Sequence, residues 1–156
     1  MILRSALAAD LDQVLAIADR RRHQYAAYQP QFWNPSSDAV RRQRDYFTSL
    51  LADPAKLFVV AVANDRLRGF VIATLAPAPP VYDPGGLTCL VDDFTVDEPE
   101  SWLEVGPQLL DSVRSWAEER GAVQLVVVTA GGDDPKRAVL NSVGLSLASE
   151  WWVGPA

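Results

Sequence analysis

The spacing of apolar and polar positions along this chain changes period several times, and each change marks an element. Met1 to Arg4 reads as a short strand. Leu11, Val14, Ile17 and Ala18 then recur at helical spacing behind Asp10, a residue placed to cap a helix. Tyr25, Tyr28, Phe32 and Trp33 gather in a stretch broken by Pro30 and Pro35, either as core or as the wall of a pocket. Ser37 or Asp38 caps a second helix, Val40, Phe47, Leu50 and Leu51 form its apolar face, and Asp53-Pro54 ends it.

The runs 57–63 and 67–75 are apolar strands joined at Asn64-Asp65-Arg66, which makes a hairpin. Segment 76–86 is rich in Pro and Gly and reads as a loop. Leu87 to Val96 is a further strand, whose period of two sets Asp92 and Asp93 on opposite faces. After a loop over 97–104, Val105 to Arg120 forms an amphipathic helix with Val105, Leu109, Leu110, Val113 and Trp116 on its apolar side. Pro107 falls in the first turn of that helix, where proline is tolerated, and Gly121 stops it. Val123 to Thr129 is almost continuously apolar, as a central strand would be. A short helix over 135–143 ends at Gly144, and Leu145 to Val153 reads as a last strand. The order β-α-α-β-β-β-α-β-α-β predicts a single α/β domain over residues 1–156. Its mixed sheet combines the antiparallel hairpin with a later parallel, right-handed β-α-β unit.

Composition narrows the function. Hydrophobic residues make up 49% of the chain, enough for a packed interior, so disorder is not expected. No apolar run reaches the ~20 residues of a membrane span, and the first residues lack a signal-peptide pattern, so a cytoplasmic protein is expected. Cys89 and His23 each stand alone, which argues against a disulfide and against a metal site. The net charge of −6, from 14 basic and 20 acidic side chains, argues against a nucleic-acid partner. No Lys or Arg falls between Arg68 and Arg114, a stretch that holds Asp83, Asp92, Asp93, Asp97, Glu98, Glu100, Glu104 and Asp111. Such a surface is either a solvated acidic face or one that attracts a cationic substrate such as an amine.

Three segments in order carry a family resemblance. Asp92-Asp93-Phe94-Thr95-Val96 is an acidic-acidic-hydrophobic-x-Val strand, Val105-Gly106-Pro107-Gln108-Leu109-Leu110 opens the long helix, and Asp134-Pro135-Lys136-Arg137-Ala138 leads to Val143-Gly144-Leu145. Together they resemble the GNAT (GCN5-related N-acetyltransferase) superfamily over nearly the whole chain. The resemblance implies a mixed sheet of about six to seven strands flanked by about four helices. It also implies direct acyl transfer from acetyl-CoA, as co-substrate, to a small amine.

In that family a strand-loop-helix unit offers backbone N–H groups to the coenzyme's diphosphate, and splayed strands offer unpaired backbone to its pantetheine arm. The resemblance therefore gives Phe94, Thr95, Val96, Glu104, Val105, Gly106 and Pro107 to the coenzyme, with Lys136 and Arg137 reaching its 3′-phosphate. Asp92 and Asp93 become base candidates, as does Glu150 on the last strand; Tyr25, Tyr28, Trp33 and Tyr82 wall or cover the acceptor site. Three positions depart from the family pattern. Its diphosphate loop runs Arg or Gln, two residues, Gly, one residue, Gly or Ala; here the first position is Ser101 and the first Gly is Glu104. A carboxylate about 4 Å from a phosphate costs roughly 1 to 4 kcal/mol. The family's proton-donating Tyr falls on Leu140, which has no proton to give. The alternative is then a fold retained as a binding or sensing module with little coenzyme affinity. The apolar ending Trp151-Trp152-Val153 is either core or the edge of a homodimer.

Overall fold

The structure, a computed structural model, describes residues 1–156. Its strands are β1 (Ile2–Ser5), β2 (Lys56–Ala63), β3 (Arg66–Ala76), β4 (Leu87–Val96) and β5 (Ala122–Val127). Its helices are α1 (Leu11–Tyr28), α2 (Ala39–Leu51), α3 (Trp102–Glu118) and α4 (Asp134–Ser142), with 3-10 turns at Ala8–Asp10 and Pro99–Ser101. The strands lie in sequence order as one sheet of five, β1-β2-β3-β4-β5. The first four are antiparallel neighbours, and β5 joins β4 in parallel after the α3 crossover. The mixed sheet and the α/β class agree with the sequence reading. The strand number does not: five form, not six to seven, because residues 145–156 enter no ladder.

Two apolar cores lie on the two faces of the sheet. One joins α3 and α4 to the sheet through Val71, Val91, Phe94, Trp102, Leu109, Leu110 and Val139. The other seats α1 and α2 through Val14, Ile17, Phe47, Phe58, Phe70 and Ile72. The β2–β3 hairpin turns at Asn64 and Asp65, with φ of 50° and 60°. Those residue types tolerate the left-handed region that a two-residue turn between twisted strands needs.

The feature that shapes the site is a bulge in β4. Val71 pairs with Phe94 and Ala73 with Val91, so Asp92 and Asp93 together stand opposite Ile72. An extra residue shifts the side-chain phase and bends the strand. The phase shift is visible in burial: Cys89 and Val91 face the α3 core before the bulge, Phe94 and Val96 after it. β5 follows β4 only from Leu87 to Val91 and leaves it at the bulge. From Asp92 onward β4 has a partner on its β3 side alone, so the sheet opens into a V.

Two further readings are corrected. β5 is an edge strand, not a central one, and Val123 and Val126 are half exposed. The run 145–153 forms no regular element, and Trp151 and Trp152 stand 83% and 90% exposed. No helix is long and apolar enough to cross a membrane.

Candidate functional site

The V between β4 and β5 collects most of the singled-out residues. At its apex, the bulge turns Asp92 and Asp93 toward the α1–α2 side together, instead of splitting them between faces. The Tyr46 hydroxyl of α2 donates to Asp92 Oδ2 at 3.3 Å. Burial, then Asp92, then Asp93 push that hydroxyl above its usual range, so Tyr46 senses both carboxylates. Asp92 is exposed. Asp93 is partly buried, and its burial, with Asp92 beside it, raises its carboxyl to about 6. Lys136, Arg22 and a hydrogen bond from Gln43 pull the other way. A carboxyl in that range changes charge near neutrality, as a general base should.

Below the apex, the V is filled by side chains of this chain. Lys136, on the first turn of α4, is 2% exposed. Its ammonium donates to the Val128 carbonyl just past β5 at 2.9 Å and lies 5.2 Å from the Phe94 ring on β4. One side chain thus bridges the two diverging strands. Burial lowers its ammonium to about 7; Arg21 adds to the descent, while Asp133 and Asp93 oppose it. The Trp102 ring, 1% exposed, meets Phe94 edge-on at 4.8 Å. It also takes Lys136 at 5.7 Å and the Arg21 guanidinium at 5.2 Å on its π system.

Asp133 balances these cations. It is fully buried, pairs with Arg21, accepts the Tyr25 hydroxyl at 3.2 Å and caps α4 by accepting the Lys136 backbone N–H at 3.3 Å. Burial, the largest influence, raises the Tyr25 hydroxyl above its usual value. The Arg21 Nε is buried with no hydrogen-bond partner. Over this network Tyr25 packs against Trp33 at 5.0 Å, and Tyr28 covers Gly132 so closely that a Cβ there would stand 2.9 Å from its ring.

The diphosphate end differs from the expected loop. α3 starts at Trp102, three residues before the expected Val105, because Trp102 is a core residue and draws the first turn down onto Phe94 and Val139. Glu104 therefore sits in the first helical turn, where a carboxylate suits the helix dipole. Pro107 lies inside the helix instead of in its first turn, so its ring removes a backbone N–H from the ladder. Gly106 is buried within α3, and a Cβ on it would meet Val139 at 3.0 Å and Trp102 at 3.1 Å. Its bareness serves the α3–α4 contact, not a turn around phosphate. Ser101 is buried, and its hydroxyl accepts from Arg68 at 2.9 Å.

Other singled-out residues lie apart from the V. Glu150 is exposed on the unpaired C-terminal segment, so its place on a sheet strand is corrected. That segment reaches the α1–α2 connection, where Trp151 meets Phe32 edge-on at 5.9 Å and Gln31 donates to the Gly154 carbonyl at 3.0 Å. Tyr82 is 72% exposed in the Pro-rich loop. Arg137 donates to the Gly131 carbonyl at 2.9 Å, while Lys136 points inward, away from any 3′-phosphate on the surface. Leu140 belongs to the α3 core, with no hydroxyl in its place. Sequence reasoning missed Arg21, Asp133 and the inward turn of Lys136. The only available signal was the pair of charges flanking Pro135 beside an apolar helix.

As folded, the space between β4 and β5 is occupied by this chain's own side chains. The Val128 carbonyl is taken by Lys136, the strap around a diphosphate is a helical turn, and Trp102 fills the space beneath it. Cavities of about 190 Å³, beside Gln13, Arg20 and Asp97, and about 110 Å³, beside Ser5, Leu50 and Lys56, open elsewhere; neither is lined by β5 or α4. No cluster of three His, Cys, Asp or Glu side chains is placed to hold a metal ion.

No family model matches the sequence, and no curated protein does. Solved structures do match in fold. A variant of the BH1408 protein from Bacillus halodurans aligns with a TM-score of 0.86 at 15% identity, over 100% of this chain and 99% of that one. A predicted acetyltransferase from Clostridium acetobutylicum, solved with acetyl-CoA, gives 0.75 at 20% identity over 99% and 95%. The apo aminoglycoside antibiotic 6′-N-acetyltransferase from Acinetobacter haemolyticus gives 0.75 at 14% identity over 100% and 98%.

Proposed function

Starting from the GNAT fold that this chain has, we propose that it is an N-acyltransferase acting on a small cationic amine, with a coenzyme slot that is closed at rest. The observation that carries the reading is the β4 bulge, which sets Asp93 at the apex of the V with a carboxyl raised to about 6. The similarity of fold to acetyltransferases, one of them solved with acetyl-CoA, supports acyl-CoA as the donor. Asp92, exposed beside Asp93, gives the apex a negative charge that draws an ammonium ion inward. Asp93 then accepts one proton from that ammonium, leaving a neutral amine with a free lone pair. Tyr46, bonded to Asp92, holds that carboxylate in place.

The first test is calorimetric titration with acetyl-CoA, with desulfo-CoA and adenosine 3′,5′-bisphosphate as controls. Binding with Kd between micromolar and millimolar is expected. No heat up to millimolar coenzyme would sink the acyltransferase reading. It would leave the second reading, a GNAT-fold binding module, which the Lys136–Val128 bond, Glu104 and Leu140 favour.

The second test is the pH profile of amine acylation. A base must be ionised to act, so the rate should rise with pH through about 6 and then level. Asp93→Asn should lose that limb and about 10²–10⁴-fold in rate. A limb retained in the Asn variant would remove Asp93 from the role. The stability sign is the reverse. The folded state holds this proton more tightly than the unfolded chain, so Asp93's contribution is lost as pH rises through about 6.

A further inference from the structure

The V holds an unusual occupant for a buried position, a lysine whose ammonium satisfies a strand carbonyl. Strands that diverge leave backbone acceptors unpaired, and each must be met by water, by a side chain or by a ligand. In this chain the acceptor past the end of β5 is met by Lys136 Nζ at 2.9 Å. The ammonium is further held by the ring faces of Phe94 and Trp102 and by the nearby carboxylates of Asp133 and Asp93. The Arg21–Asp133 pair and the Tyr25 hydroxyl close the same space from the α1 side. An extended amide-bearing arm entering between β4 and β5 would need this carbonyl, and it would need the volume of the lysine stem.

We propose that Lys136 is an internal plug that competes with the acyl-coenzyme's arm for the Val128 carbonyl, so that the slot opens only when this side chain withdraws. The proposal rests on the acyltransferase reading and specifies how that site is held shut. Withdrawal has to shift the packed approach to α4, where Ala130 is buried and Gly132 lies under Tyr28, and Gly131, on which a Cβ would meet nothing within 4 Å, is the one uncrowded position. Asp133, by contrast, anchors the helix start and keeps the plug in register. Coenzyme affinity is then set by the contest at one carbonyl as much as by the Glu104 turn.

The experiment is calorimetric titration of the wild type, Lys136→Ala and Lys136→Met with desulfo-CoA, a probe that cannot transfer an acyl group. Each variant's fold is checked by circular dichroism and thermal melting. Lys136→Ala removes both the bond and the bulk and is expected to bind at least tenfold tighter than wild type. Lys136→Met keeps the buried stem, which protects the fold, and frees only the carbonyl; a gain of about threefold is expected. Equal, measurable binding in the wild type and in the folded variants would overturn the plug while leaving the acyltransferase reading intact. No binding in any of the three would overturn both.

Discussion

Asp133→Ala is expected to cost this protein about 3–5 kcal/mol of stability. The side chain is fully buried and serves three groups at once: the Arg21 guanidinium, the Tyr25 hydroxyl and the N-terminus of α4. Its loss leaves Arg21, whose side chain is only 12% exposed, without a counter-charge. Breaking a buried pair from one side costs more than the pair contributes, because the remaining charge has lost its partner in a medium of low polarity. The Arg21 Nε already has no acceptor, so the guanidinium has little slack. Against a total of about 5–15 kcal/mol for a domain, the change lowers Tm by roughly 10 °C. Urea unfolding measures it. Asp133→Asn should lose less, since an amide oxygen can still cap α4. The double variant Arg21→Met, Asp133→Ala should regain part of the loss, because the orphaned charge is gone. A loss under about 1 kcal/mol in the Ala variant would mean that Arg21 reaches water.

Trp102→Ala should cost a comparable amount, about 3–5 kcal/mol, by a different route. Trp102 is the largest of the fully buried side chains, and it sits where α3, α4 and β4 meet. Truncation removes its apolar burial and leaves a cavity that Gly106, with no side chain, cannot fill. Phe94 loses its edge-to-face partner, and Arg21 and Lys136 lose the ring that both approach. Trp102→Phe should lose about half as much as the Ala variant, because a smaller ring can still meet Phe94. Urea unfolding of the two variants separates the cavity cost from the ring contacts. A loss below about 1 kcal/mol for the Ala variant would show that α3 closes over the gap.

The elements built from local chemistry were legible in the sequence. Asn64-Asp65 between two apolar runs gave the hairpin, and the spacing of Val105, Leu109, Leu110 and Val113 gave the long helix. The acidic strand Asp92-Asp93-Phe94-Thr95-Val96 pointed to the place where the sheet opens. The errors arose where tertiary packing overrode a local rule. Simple alternation assigned Asp92 and Asp93 to opposite faces, but the bulge shifts the phase, and nothing in those two residues announces an extra place in the ladder. The start of α3 was read from Gly106 and Pro107, yet burial of Trp102 extends the helix past both. Lys136, which the resemblance gives to the coenzyme's 3′-phosphate, instead crosses the interior to a carbonyl. The runs 123–129 and 145–153 share an apolar character that suits adjoining strands, but only the first enters the sheet.

That last difference bears on how the molecule behaves in company. β5 ends the sheet with its outer edge unpaired, and from Gly121 to Asp134 the chain offers no lysine or arginine to guard it. Segment 145–153 also stays outside the sheet and carries two bare tryptophans. Natural sheets commonly blunt such edges with charge, proline or a bulge, because an open ladder is a template for other strands. Colloidal stability therefore depends on the net charge of −6 to keep copies apart, and salt that screens this charge weakens the only long-range barrier to strand addition.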